Sequence, residues 1–353
     1  MKAERDEKTG KWFIQYRYID WQGNRKKSTK RGFKTKREAE EWLRNFMVRN
    51  QADFDMNFED FLKLYYDDMT PRLRESTMLN KKFLKEGKIL PYFAKKSINS
   101  ISPADVRRWQ NELMSKNFSE TYLRTINNQL TAIFNYAVRY YDLKSNPCTK
   151  AGPMGKKNAK EKNFWTKDEF MQFLECVKDK KESYVGFEML FWTGMRIGEL
   201  LALTFKDIDF ENKTITISKS YQRINGRDVI TPPKTPKSNR TISIPTFLAK
   251  DIADYEKAVY GAKKSDRVFK RTKYYFEHEL KRGTEASGMK RIRIHDLRHS
   301  HCSLLFEMGI PVLEVSERLG HERVETTLNI YAHIYPNKQQ KISERLEELY
   351  NME

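Results

Sequence analysis

The segment Ile294-His295-Asp296-Leu297-Arg298-His299-Ser300-His301-Cys302-Ser303-Leu304-Leu305 decides how this chain is read. Of the 6 histidines in the sequence, five (His295, His299, His301, His321 and His333) fall within the last sixty residues, beside Arg298 and Tyr331. A cluster of titratable side chains in an otherwise histidine-poor chain suggests a site. His295 and Arg298 are three positions apart and share one helical face, whereas Leu297, Leu304, Leu305 and Met308 form a separate apolar stripe expected to face a core. Gly309, before Ile310-Pro311, is expected to end this helix and Gly320 the next, which leaves His321 just past a helix C-terminus.

Working outward, Phe191-Trp192-Thr193-Gly194-Met195-Arg196-Ile197-Gly198-Glu199-Leu200 places Arg196 after a glycine turn, at the expected start of a helix. The helix dipole disfavours a cation there, so Arg196 either pairs with an acid such as Glu199 or awaits an anion. Between these fragments lies one short sheet, its strands expected at Thr214–Ile217, Val229–Thr231 and Thr241–Ile244. The segment Pro232-Pro233-Lys234-Thr235-Pro236-Lys237-Ser238 reads as an unpaired, mobile connection.

Taken in order, TGMRIGELLALTFKDID (193–209), PPKTPKSNRTISIP (232–245), IHDLRHSHCSLL (294–305) and LGHERVETTLNIYAHI (319–334) resemble the catalytic domain of the tyrosine recombinases, specifically the lambda-integrase-like integrases of phages and conjugative elements. The resemblance covers residues 163 to 335 strongly. It extends more loosely to two preceding domains, which look like the arm-binding and core-binding domains of that family. By similarity Arg196 and Arg298 match the two catalytic arginines, Lys234 the hairpin lysine, His295 and His321 the two histidines, and Tyr331 the nucleophile. Glu322 and Arg323 are bulkier and more charged than the small residues the family often has after the second histidine.

The chemistry accounts for these residue types. A phosphodiester gains charge in its transition state, and two forked guanidiniums can clamp the non-bridging oxygens as it does. A tyrosine hydroxyl, with a pKa near ~10, is a poor nucleophile at neutral pH, so nearby cations and His295 as base would promote its attack. The resemblance gives Lys234 the task of protonating the leaving 5′-oxygen and His321 that of hydrogen-bonding the phosphate. The product is a 3′-phosphotyrosyl ester, which conserves bond energy, so no ATP, metal or other cofactor is expected. Tyr335 competes with Tyr331 for the nucleophile, and Lys237 with Lys234 for the hairpin lysine.

Upstream, Lys11–Asp20 alternates with the period of a half-buried strand, Trp21-Gln22-Gly23-Asn24 supplies a turn, and Thr35-Lys36-Arg37-Glu38 has capping-box spacing before a helix. One sheet face is expected to carry Arg17, Arg25, Lys26, Lys27, Lys30 and Arg31. A ribbon of that kind can enter a DNA groove, or be a solvated basic hairpin. From Phe58 to Asn146 only helical periodicity remains. The best helix runs from Ser119 to Tyr140, with Leu123, Ile126, Leu130, Ile133, Phe134 and Ala137 opposite Arg124, Asn128 and Arg139. Arg124 joins the candidate DNA contacts.

The expected fold is thus multidomain α+β. A small three-stranded sheet plus helix (1–52, arm-type DNA-binding) precedes an all-α core-binding bundle (53–147) and a basic linker (148–162). A mostly helical catalytic domain with a small antiparallel sheet and a C-terminal tail helix (163–353) follows. The tail spacing of Ile342, Leu346, Leu349 and Tyr350 is amphipathic.

Composition agrees with a polyanionic partner: 67 Lys plus Arg against 48 Asp plus Glu give a net charge of +19. The first residues lack the apolar core of a signal peptide, and no apolar run approaches the ~20 residues of a membrane span. The bacterial host cytoplasm, beside the nucleoid, is the expected location, with no membrane partner. The resemblance implies double-stranded DNA attachment sites of core and arm type, a homotetramer in the synapse and a monomer when free. An excisionase and a host DNA-bending protein are candidate companions. The competing classes are a catalytically silent DNA-binding regulator on the same scaffold and a type IB topoisomerase-like enzyme.

Overall fold

Alternating apolar residues make strands of the first segment in the computed structural model, which describes residues 3–7, 9–19, 25–50, 56–156, 163–233, 235–334, 343, 346, 347 and 349–351. Strands β1 (Ala3–Arg5), β2 (Trp12–Ile19) and β3 (Arg25–Phe33) pair antiparallel in that order. Ile14 and Tyr16 are buried beneath helix α1 (Lys36–Asn50), where Trp42 and Phe46 meet the Tyr16 ring edge to face. The expected turn at 21–24 lies outside the described residues.

The register corrects the expected basic face. Arg17 opposes Lys27 and Phe13 opposes Arg31, so these basic residues and Arg25 share the open face, but Lys30 opposes the buried Ile14 and Lys26 opposes Tyr18. Directly paired residues point to the same side. Lys26 and Lys30 therefore project on the helix-covered side, though both remain exposed on the edge strand. Gly32, at φ +99°, lies in the one-residue register shift opposite Trp12/Phe13, a bulge that turns Phe33 inward against Trp42.

Helices α2 (Phe58–Met69), α3 (Glu75–Leu84), α4 (Leu90–Phe93), α5 (Pro103–Met114) and α6 (Glu120–Tyr140) follow, with a π-helical turn at Lys85–Ile89. Ser102 and Asp105 cap α5 reciprocally, and Pro103 occupies the first helical position. All six apolar residues expected on the core face of α6 are buried. The expected linker begins too early. Pro147–Ala151 forms a further helix, α7, and Cys148, Ala151 and Met154 are buried in the same core. Lysines obscure this segment in the sequence, but Cys148 and Ala151 share one face of the short helix, and Met154, past its Gly152 cap, joins them in the core.

By its internal contacts the chain divides into units Met1–Ala159 and Lys160–Glu353. In the second, Thr166 and Glu169 form the expected capping box of α8 (Lys167–Glu175), followed by α9 (Lys181–Thr193) and the short α10 (Ile197–Leu200). The expected single sheet is in fact two. Strands β4 (Ile208–Asp209), β5 (Thr214–Ile217) and β8 (Arg240–Ser243) form one, in the order β4-β5-β8. Strands β6 (Ser220–Ile224) and β7 (Arg227–Thr231) form a separate hairpin. Asn225 and Gly226, at φ 49° and 77°, supply the left-handed pair of a tight hairpin turn. Polar residues hide β6 from a hydrophobicity reading; only Tyr221 and Ile224 of that strand are buried.

Helices α11 (Thr246–Ala258), α12 (Lys273–Ser287), α13 (Asp296–Glu307), α14 (Val312–Leu319) and α15 (Val324–Ile334) complete this unit. Helix α13 departs from the expected stripe: Met308 is exposed, and every residue from Asp296 to Ser303 is buried. It is enclosed by α9, α14 and α15, and Arg298, Ser300 and His301 meet hydrogen-bonding partners inside the protein. Of the tail, Ile342 lies outside the described residues, and Leu346, Leu349 and Tyr350 are exposed. Among the described residues no helix is long and apolar enough to cross a membrane.

Candidate active site

Arg298 is the centre of the polar arrangement. Its side chain is buried on α13, where Nη1 donates to the Gly194 carbonyl at 2.8 Å and Nη2 to the Leu319 carbonyl at 2.6 Å. Those carbonyls end α9 and α14, whose C-termini carry partial negative charge suited to a cation. Gly194 adopts φ +64°, and a Cβ there would lie 2.6 Å from both His301 Cδ2 and Leu319 Cδ2, so only glycine permits this approach. Burial, then the Arg196 charge, pushes the Arg298 pKa down to about 9. It stays protonated at neutral pH, as a cation that an incoming anion would relieve.

Arg196 caps α10, and of the two readings left by the sequence the structure shows the pairing with Glu199. Its Nη1 donates to Glu199 Oε1 at 2.7 Å and its backbone N–H to Glu199 Oε2 at 2.9 Å, yet over a third of its side chain remains exposed. Glu199 offsets the unfavourable helix-start position. The same carboxylate accepts from Arg240 Nη2 at 2.9 Å. Burial raises the Glu199 pKa, but Arg240 and then Arg196 outweigh it and hold the carboxyl below its ordinary value.

His295 stands at the start of α13, on a turn pinned by Asp296, which accepts from the Arg293 backbone N–H at 2.9 Å. The residue as a whole is exposed, yet surrounding protein desolvates its imidazole; this, followed by Arg298 and Arg196, lowers its pKa below 6.5. His321 follows Gly320, is buried, and bonds Thr327 Oγ1 through Nδ1 at 2.7 Å. Burial, then Arg298 and Arg196, pushes it down to about 3, so it is neutral throughout the physiological range. Gly320, at φ +66°, admits the Lys237 carbonyl within 2.8 Å of its Cβ position, which brings the β7–β8 loop against the His321 turn.

The structure therefore brings Arg196, His295, Arg298 and His321 into one electropositive cluster. Lys234 lies outside the described residues. Tyr331 lies on α15, one turn beyond Thr327; its side chain is likewise outside the described residues. Three contributors escaped the sequence reading. Arg240 joins Glu199 to the Arg318 carbonyl (2.9 Å from Arg240 Nε), Thr327 holds His321, and Arg318 donates to His301 Nε2 at 3.2 Å. Arg240 sits within the quoted Asn239-Arg240-Thr241 run, but its partner is 41 positions away, a separation that local spacing does not reveal.

Of the candidate DNA contacts in the first unit, Arg17, Arg25, Lys27 and Arg31 lie on the open sheet face. Arg124 is half-buried on α6. The described residues contain no group of three or more His, Cys, Asp or Glu able to hold a metal ion.

Residues 163–338 match the phage integrase family, 57–114 its N-terminal SAM-like domain, and 3–49 an arm DNA-binding domain. The chain is 32% identical to the ICEBs1 integrase of Bacillus subtilis over 317 residues, covering 85% of each chain. It is 29% identical to a tyrosine recombinase XerC-like protein of Caldanaerobacter subterraneus over 359 residues, covering 90% of each. Its fold resembles that of the Tn1549 transposon integrase solved with transposon right end DNA, with a TM-score of 0.70 at 23% identity over 81% of this chain and 99% of that one. A lambda integrase dimer bound to a core site gives a TM-score of 0.62 at 16% identity, over 93% and 94%. With the arginine–histidine cluster inside the matched segment and a relative alike across most of both lengths, the chain belongs to the phage integrase family and is a tyrosine-type site-specific recombinase of a mobile element.

Proposed function

We propose that Tyr331 cuts DNA at attachment sites, forming a 3′-phosphotyrosyl ester that a partner strand then resolves. The observation that carries this reading is the buried Arg298 beside the part-exposed Arg196, two cations gathered with Glu199 as a neighbouring carboxylate, which leaves positive charge for an anion to meet. In the forward step the Tyr331 oxygen bonds to phosphorus as the bond to the 5′-oxygen breaks. His295, kept neutral by burial and by its cationic neighbours, takes the tyrosine proton. Arg196 and Arg298 neutralise the non-bridging oxygens, and Lys234 protonates the leaving 5′-oxygen. His321, with Nδ1 engaged by Thr327, offers its other nitrogen to the phosphate. Rejoining reverses these transfers with the 5′-hydroxyl of another strand.

In the same reading the sheet-and-helix segment near 1–52 holds arm-type sites through Arg17, Arg25, Lys27 and Arg31, and the helical bundle holds core sites with Arg124. Residues 163–353 carry the chemistry. Integration and excision proceed in a tetrameric synapse in the bacterial cytoplasm, assisted by an excisionase and a host bending protein. The match of residues 3–49 to arm DNA-binding domains supports the first assignment.

Nicked suicide duplexes made from the element's end junction test the reading. Wild-type protein should give a covalent protein–DNA band on denaturing gels, and Tyr331→Phe should bind the same duplex without forming it. A covalent band from Tyr331→Phe moves the nucleophile elsewhere. No band from either protein on bound DNA favours a silent regulator.

A further inference from the structure

Behind Arg298 lies a second polar layer to which the proposed chemistry assigns no task. Arg318, on α14, spreads its guanidinium over three acceptors: His301 Nε2 at 3.2 Å, the Ser243 carbonyl at 3.2 Å and the Trp192 carbonyl at 3.3 Å. These belong to α13, β8 and the last turn of α9. One of these acceptors, and Arg318 itself, lie close in sequence to the carbonyls that hold Arg298. Trp192 precedes Gly194 by two residues, and Arg318 itself immediately precedes Leu319.

His301 is three residues beyond Arg298 on α13 and is buried. It packs under Gly194, at the point where a Cβ would collide with it. Burial and the Arg318 and Arg298 charges push its pKa down to about 3, so the ring stays neutral at any working pH, and in the tautomer protonated at Nδ1 its Nε2 accepts from Arg318. Helix ends fray when their last carbonyls are unpaired. Here one guanidinium grips the end of α9 and braces α14 from within, and a second guanidinium reads the carbonyls so fixed.

We propose that Arg318, seated on His301, is a positioning residue for Arg298: it fixes the spacing between the ends of α9 and α14 and so aims the Arg298 guanidinium at the scissile phosphate. The proposal rests on the reading of Arg298 as a phosphate clamp. Arg318 itself need not touch DNA. Its loss lets the two carbonyls drift, and a displacement of ~1 Å at a catalytic group can cost ~100-fold in rate.

The test uses full-length protein and nicked suicide duplexes from the element's end junction, in two forms: the natural diester, and a methylphosphonate at the scissile position, which removes one negative charge. Single-turnover cleavage is measured for wild type, Arg318→Met, Arg318→Lys, His301→Gln, His301→Phe and Arg298→Met, alongside DNA binding and thermal melting. Arg318→Met should cleave the diester ~10–100-fold more slowly with binding retained, and the deficit should shrink on the methylphosphonate, the pattern expected of Arg298→Met. His301→Gln, which keeps an acceptor, should stay near wild type, whereas His301→Phe should follow Arg318→Met.

Cleavage within ~3-fold of wild type by folded Arg318→Met and His301→Phe overturns the proposal, as does an equal deficit on both substrates, which marks a merely structural tie. Should Arg318→Met fail to fold, Arg318→Lys and His301→Phe decide by the same substrate comparison. Arg298→Met cleaving at the wild-type rate overturns the reading of the site itself. Loss at Arg298 without loss at Arg318 overturns the positioning role alone.

Discussion

Replacing Glu188 by glutamine should stabilise the catalytic unit above neutral pH and leave it nearly unchanged in acid. Glu188 is buried on α9, facing α11; its Oε2 has no hydrogen-bonding partner among the described residues. Burial, and next the neighbouring Asp251 carboxylate, raise its pKa from 4.5 to about 8. The folded state thus holds this proton more tightly than the unfolded state does. Below pH 4.5 both states are protonated and Glu188 costs nothing. As pH rises from 4.5 to 8 the unfolded state gains stability by ionising first, and above 8 the cost is complete. At ~1.4 kcal/mol per pH unit, the full cost is ~5 kcal/mol and that at pH 7 is ~3 kcal/mol, upper figures because water entry and side-chain relaxation soften them. Glutamine keeps the shape and never ionises. Urea unfolding followed by circular dichroism at pH 5, 7 and 9 should show the Glu188→Gln advantage widening by several kcal/mol across the series. A gap that stays constant, or a glutamine variant less stable than wild type at pH 9, refutes the reasoning.

Other consequences concern the site directly. Glu199→Gln removes the charge shared by Arg196 and Arg240, and should cost ~2–4 kcal/mol in unfolding experiments while slowing single-turnover cleavage ~10–100-fold. Thr327→Val should free the His321 ring and slow cleavage ~10-fold, whereas Thr327→Ser, which keeps the hydroxyl, should restore it. Because burial and the arginines lower the His295 pKa below 6.5, its base form persists into mild acid. A pH–rate profile of single-turnover cleavage should have its acid-side midpoint below pH 6.5; a fall centred above 6.5 would contradict the assigned base.

Much of this was legible in one chain because the relevant signals are local. Capping boxes at Ser102 and Thr166, the glycine stops at 309 and 320, and the apolar face of α6 all depend on residues within a few positions of one another. What escaped depends on partners distant in sequence. The buried polar face of α13 reads as a solvent-facing side until α9, α14 and α15 enclose it. Arg318 finds Trp192 across 126 positions, and Arg240 finds Glu199 across 41. Strand β6 is polar because its pairing, not its burial, makes it a strand. Lys26 and Lys30 were given to the wrong face because a run of basic residues obscures the period-2 alternation that the register with β2 makes plain.

The central claim is most directly tested by digesting the covalent adduct with trypsin and nuclease and sequencing the nucleotide-bearing peptide. Cleavage after Arg323 and Lys338 yields Val324–Lys338, which contains both Tyr331 and Tyr335. Fragmentation should place a 3′-linked nucleotide on Tyr331. The same modification on Tyr335, or on a peptide outside this segment, would contradict the account.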